Sequence, residues 1–122
     1  MSKSRKELGG RGEMLAAGYL KHLGWEIVRT NYLSKGGEVD IIARRDGRLL
    51  FAEVKYRTNL ELGHPAESIT KDKLRRIRKA AVAYLQSDAC VPHGAIKFDA
   101  ICVMELPGED LTIEHIEDIL GP

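Results

Sequence analysis

Two β-branched and apolar runs, residues 39–43 and 49–54, flank the dipeptide Asp46-Gly47. Asp-Gly suits a type I′ hairpin turn, whose two central residues both take positive φ. A two-residue loop fixes the register. Arg45 then lies opposite Arg48, Ile42 opposite Phe51, Asp40 opposite Glu53 and Glu38 opposite Lys55. Side chains alternate with period two along each strand. Glu38, Asp40, Ile42, Leu49, Phe51, Glu53 and Lys55 therefore share one face, and Val39, Ile41, Leu50, Ala52 and Val54 share the other. Both faces carry apolar residues, the pattern of a sheet covered on two sides.

The remaining pattern supplies that cover. Leu8, Leu15, Ala16, Tyr19, Leu20 and Leu23 recur at helical spacing and predict a helix over residues 7–22, stopped at Gly24. Residues 25–31 read as a strand with Trp25, Ile27 and Val28 inward, and residues 31–37 as a turn-rich connection. After the hairpin, residues 57–69 contain Asn59, Gly63 and Pro65 and read as a loop, with no role assigned to His64. The loop leaves directly after Lys55, so it is either a flap over the site or a plain connection. Thr70 is a good N-cap, and Leu74, Ile77, Ala81, Tyr84 and Leu85 form the buried stripe of a helix running to about residue 86. Residues 95–104 alternate as a strand and residues 111–116 form an edge strand, with a short helical end over 117–120. The order α-β-β-β-α-β-β predicts an α/β fold, a central mixed sheet flanked by helices in three layers.

The hairpin register brings two carboxylates, Asp40 and Glu53, face to face, with Lys55 on the same face. Like charges directly opposite destabilise a strand pair. A shared proton, a basic neighbour or a metal cation must compensate. Hard carboxylate oxygens suit Mg²⁺ or Mn²⁺, and an adjacent ammonium can hold an anion or activate water. The plain alternative is a solvated outer face bearing ordinary surface charges. Glu13 lies at the margin of the first helix's apolar stripe, about 20° from Leu20 on the wheel. Its spacing alone favours a rim acid paired with a lysine over a third acidic group reaching the hairpin.

Composition narrows the class. At 122 residues, with 30% charged and 43% hydrophobic positions, the chain reads as one globular domain over 1–122 that needs no disulfide framework. No apolar run is long enough to span a membrane. Two cysteines, Cys90 and Cys102, fit a reduced, cytoplasmic setting. Cys90-x-x-His93 lacks the second pair that zinc requires. Net charge is only +1, but its distribution is uneven. Basic residues crowd the N-terminus, where residues 1–6 read as a disordered arm, and the stretch 71–79; acids concentrate after residue 104. Few acids balance the second helix's first turns, which favours a phosphate-facing surface over a merely solvated one.

An acidic helix residue, then Asp40, then Glu53-Val54-Lys55, then a helix and a strand: this order resembles the PD-(D/E)XK nuclease superfamily, the restriction-endonuclease-like fold. The chain more closely resembles the YraN-like family of predicted endonucleases, itself similar to archaeal Holliday junction resolvases. The resemblance runs through Gly9 to Glu13, Asn31-Tyr32, Gly37 to Asp40, Phe51 to Arg57, Gly63-His64-Pro65, Lys73 and Lys97-Phe98-Asp99. Val39 stands where the superfamily's nominal motif has proline. The resemblance implies a Mg²⁺- or Mn²⁺-dependent DNA endonuclease, with a preference for branched DNA, acting as a symmetric homodimer. It makes Glu13, Asp40, Glu53 and Lys55 the catalytic candidates, with Asp40, Glu53 and Glu13 on the metal. Arg11, Arg57, Lys71, Lys73, Arg75 and Arg78 are the candidate contacts to the DNA backbone. The alternatives are a nucleic-acid-binding module that keeps the fold without cleaving, and a partner-binding protein docking through its acidic end.

Overall fold

The computed structural model describes residues 5–121, with side chains from residue 10 onward. Helix α1 spans Arg5–His22, followed by strands β1 (Glu26–Ser34), β2 (Gly37–Arg45) and β3 (Arg48–Arg57). A 3₁₀ turn (Pro65–Ser68) leads into α2 (Lys71–Leu85), then β4 (Ile96–Met104) and β5 (Thr112–Ile116). The five strands form one mixed sheet in the order β1-β2-β3-β4-β5. Only β3 and β4 are parallel among these neighbours, joined by the α2 crossover. The two helices cover opposite faces, so the fold is the expected α/β arrangement of three layers. Among the described residues, no helix is long and apolar enough to cross a membrane.

The hairpin forms as its turn chemistry requires. Asp46 and Gly47 take φ of +50° and +76°, and Arg45 pairs with Arg48, Ile42 with Phe51 and Ile41 with Ala52. Ala16 and Leu20 of α1 pack on Ile41, Ala43, Leu50, Ala52, Ile101 and Val103. Ile77, Ala80, Ala81 and Tyr84 of α2 pack on Val39, Ile42, Leu49 and Phe51. Val39 thus lies with the α2 layer rather than with Ile41, against the simple alternation. The skip falls at Asp40, across from Asn31, whose φ is +52°. Two glycines set the layer spacing. A Cβ on Gly12 would lie 2.5 Å from the Cβ of Tyr56, and one on Gly37 would lie 2.5 Å from the carbonyl oxygen of Arg76. Each helix therefore rides close to the sheet beside the hairpin's open end.

Other boundaries differ from the sequence reading for local reasons. Helix α1 already includes residues 5 and 6, and residues 1–4 of the expected arm lie outside the described residues. Strand β1 continues to Ser34, leaving a tight turn at Lys35-Gly36 instead of a long connection. Leu23, placed in the buried stripe, lies beyond the helix end and is exposed. The expected helix over 117–120 does not form. Ile119 donates its N–H to Phe98 O at 2.8 Å, Asp118 donates to the Asp99 carboxylate at 3.0 Å, and Asp118 takes φ +54°.

That last contact belongs to a buried network. Lys97 donates to both Asp99 oxygens, at 3.1 and 3.0 Å, and to Glu117 at 2.7 Å. His115 Nε2 lies 2.7 Å from Asp99 Oδ2. An ionised carboxylate only accepts, so Nε2 carries a proton, and Nδ1 lies 2.9 Å from the Tyr19 hydroxyl. The network ties α1, β4, β5 and the following turn together. Burial alone would raise the Asp99 carboxyl, but hydrogen bonds from His115, Lys97 and the Asp118 amide outweigh it and hold the group below the ordinary aspartate value. A depressed pKa stabilises the fold above the unfolded-state value of about 4 and loses that contribution as pH falls through the folded value. Asp99→Ala strands Lys97 and His115 beside a cavity and should cost about 3–5 kcal/mol. Thermal unfolding should show a midpoint lower by at least about 10 °C at pH 7, with the deficit shrinking in acid.

Candidate active site

Beyond the Ile41–Ala52 pair the β2–β3 ladder stops. There the Asp40 carboxylate accepts the Val54 N–H at 2.7 Å. A side-chain oxygen takes the place of a backbone acceptor, and the strands open into a cleft of about 520 Å³. Glu13, Glu38, Asp40, Glu53, Lys55, Arg57, Lys73 and Arg76 contribute its charged lining. Glu13, Asp40, Glu53 and Lys55, singled out from three separate elements, thus share one cavity. Two of the six predicted backbone-contact residues, Arg57 and Lys73, line it as well.

Two lysines converge on Glu53. Glu53 and Lys55 are buried, and Lys55 Nζ lies 3.1 Å from Glu53 Oε1. Lys73 Nζ approaches the same oxygen at 3.9 Å from the first turn of α2. Thr70 fixes that turn, its hydroxyl accepting the Lys73 N–H at 3.2 Å. Proximity to Lys55 and burial hold the Lys73 ammonium below the ordinary lysine value, against the pull of Glu53 and Asp40. Glu13 faces the cleft from α1 and accepts from Asn31 Nδ2 at 2.8 Å. Arg76 lies 3.9 Å from Glu38. Burial, followed by the charge of Glu53, pushes the Asp40 carboxyl up to about 8, although the Val54 N–H favours its ionised form.

The other predicted backbone contacts lie outside the cleft lining. Arg11 grips Glu105 through two hydrogen bonds, at 2.6 and 2.5 Å, and Tyr56 donates its hydroxyl to the same carboxylate. This clamp holds α1 against β3 rather than leaving Arg11 extended into solvent. Arg75 pairs with Asp72, while Lys71 and Arg78 project from α2 into solvent.

Sequence reasoning did not assign several residues that shape the site. Asn31 carries a signal: an Asn inside a strand is a candidate for the left-handed conformation that orients it toward Glu13. His64 caps the 3₁₀ turn by accepting the Ala66 N–H and lies 2.8 Å from Glu114. Asp99, His115 and Glu117 also went unassigned as a group. Each offers a ligand atom within 4.8 Å of the others, close enough to bind a metal ion. Lys97 already places its ammonium between Asp99 and Glu117 and meets the same electrostatic demand.

Residues 12–103 match the family described as "Uncharacterised protein family UPF0102". A UPF0102 protein of Rhodococcus jostii (strain RHA1) is 45% identical over 111 residues, covering 91% of this chain and 93% of its own. A UPF0102 protein of Renibacterium salmoninarum is 40% identical over 121 residues, covering 96% and 98%. One from Geobacter sulfurreducens is 43% identical over 115 residues, covering 94% and 89%.

A carboxyl with a raised folded-state pKa stabilises the fold below its unfolded value and loses that contribution as pH rises toward the folded value. For Asp40 this window runs from about 4 to about 8. Asp40→Asn keeps an oxygen for the Val54 N–H and removes the charge. In EDTA it should match wild type near pH 4 and exceed it by ~1 kcal/mol or more at pH 9, roughly 4 °C in unfolding midpoint.

Proposed function

The chain belongs to the uncharacterised protein family UPF0102, and from that premise we propose a divalent-metal-dependent endonuclease of the PD-(D/E)XK type acting on DNA. The observation that carries the reading is the opening of the β2–β3 ladder at Asp40. Asp40 and Glu53 line one cleft there, beside Lys55.

The donor set fits a hard cation. Asp40 and Glu53 would hold Mg²⁺ or Mn²⁺, with Glu13 positioned by Asn31 to contribute from α1. Burial and mutual repulsion raise the cost of ionising Asp40, and a bound cation offsets that cost. When bound, the cation supplies positive charge to a phosphate and acidifies water. The protein's own groups do the remaining work. Lys55 orients the attacking water and, with Lys73, balances negative charge growing on the phosphate oxygens. Arg57 and Arg76 face the same cavity and suit the flanking phosphates. Ile77 and Val54 supply apolar wall that limits water. Exposed Lys71, Arg78 and Lys79 extend the cationic surface along α2, so binding should weaken steeply with salt.

End-labelled duplex, single-stranded, flapped and four-way DNA, each with Mg²⁺, Mn²⁺ or EDTA, provides the test. Wild type should cut in metal alone, and Asp40→Asn and Glu53→Gln should each lose about 100-fold or more in rate. Lys73→Gln should lose about 10-fold, with partial recovery in Lys73→Arg. Equal cutting by wild type and both carboxylate variants would sink the assignment. Salt-sensitive DNA binding without cutting would make the chain a binding module instead.

A further inference from the structure

The rim of the cleft carries one strongly exposed apolar side chain. Leu62 is 82% exposed and lines the cavity, and Leu60 beside it is 49% exposed. Scattered surface leucines need no explanation, but this one stands at the rim of a cavity whose other exposed lining is charged or polar. It is also held in place. Glu61 N–H is accepted by Asn59 Oδ1 at 3.0 Å, and Gly63 N–H by Leu60 O at 3.0 Å. Gly63 takes φ +84°, and the next residue, His64, is anchored to Ala66 and Glu114. The chain thus presents a turned, tethered apolar tip over a cationic and acidic floor.

We infer that Leu62 packs against the face of an unstacked nucleobase next to the phosphate bound in the cleft. This selects DNA whose duplex is interrupted there. The inference rests on the nuclease reading and deepens it. The logic is chemical. Lys55, Arg57, Lys73 and Arg76 can take phosphate oxygens, and the carboxylates can take a cation. An aliphatic tip has no hydrogen bond to offer and no favourable contact with a phosphate. What it can cover is the apolar face of a base, which a continuous duplex hides in its stack. That face becomes available at a flap, a branch or a single-stranded junction, and apolar wedges at unstacked steps are a general device of nucleic-acid binding. The contact is blind to sequence, since every base has a face.

The test uses the full chain carrying Asp40→Asn, which should hold DNA without cutting it. The probes are a flapped duplex with 2-aminopurine at the branch point and a continuous duplex of matching sequence. With an intact Leu62, binding the flap should raise 2-aminopurine fluorescence. Adding Leu62→Ser should abolish that rise and weaken flap binding about 10-fold, while duplex binding stays within about twofold. Leu62→Met, which keeps the apolar bulk, should retain both signals. Leu62 is exposed, so Leu62→Ser should unfold at an unchanged midpoint. No fluorescence rise with intact Leu62, or equal weakening on flap and duplex, would overturn the inference and leave the nuclease reading standing. A change in sedimentation mass without a change in DNA affinity would assign the tip to contact between copies of this chain, again overturning it. Absence of DNA binding by the Leu62-intact protein on either probe would remove the nuclease reading as well.

Discussion

One hydrogen bond governs the site. Asp40 takes the Val54 N–H with its side chain, and the ladder between β2 and β3 ends one pair earlier. A backbone donor in a central strand must find an acceptor, or burial leaves it at a cost of about 1–3 kcal/mol. Here a carboxylate supplies it. The substitution frees the strands to part, and it fixes the carboxylate at the point of parting. The cavity and its first acid therefore arise from the same contact. Glu53 and Lys55 follow on β3 with alternate residues on one face, so the opening that exposes Asp40 also exposes them.

The hairpin turn and its register as far as Ile41–Ala52 were legible because they are written locally, whereas the expected Asp40–Glu53 and Glu38–Lys55 pairs lie beyond the point where the ladder stops. Asp46-Gly47 dictates its own turn, the turn dictates the register, and period two assigns the faces. The cap at Thr70 and the stripe of α2 are local in the same sense. What was not legible depends on contacts distant in sequence. The skip that moves Val39 to the α2 side depends on a left-handed Asn31 in a neighbouring strand. Arg11 read as a free cation of a basic N-terminal region, yet Glu105, ninety-four residues away, holds it. Residues 117–120 have helix-compatible composition, but two backbone donors there are taken by Phe98 and Asp99. Propensity yields when tertiary acceptors lie closer than helical ones.

Close packing turns the hairpin into a cleft with walls. Gly12 lets α1 ride against Tyr56, which brings the next residue, Glu13, to the cavity's edge. Gly37 lets α2 ride against the start of β2, which brings Lys73 and Arg76 over the opposite rim. Each helix supplies charge to the cavity from a position just beside its closest approach to the sheet. The Arg11–Glu105–Tyr56 clamp holds the first helix at that distance.

Two aspartates, on the strands either side of β3, sit in opposite electrostatic settings. Asp99 is fully buried and accepts from Lys97, His115 and a backbone amide. Its carboxyl is held below the ordinary value, so its charge is met from within. Asp40 is half-buried beside Glu53, with Glu13 and Glu38 adding repulsion, and one amide donor answers them. Its carboxyl is pushed the other way. Lys55 and Lys73 approach Glu53, not Asp40, at 3.1 and 3.9 Å. The molecule thus has the means to neutralise a buried aspartate completely and applies them at Asp99. At Asp40 it assembles a second acid and an open cavity instead. Selection for stability alone would favour the first solution at both positions. On the proposed nuclease reading, the cost of ionising Asp40 would be offset by a cation that arrives from outside, and the lysines and arginines around it would meet an anion that arrives with it.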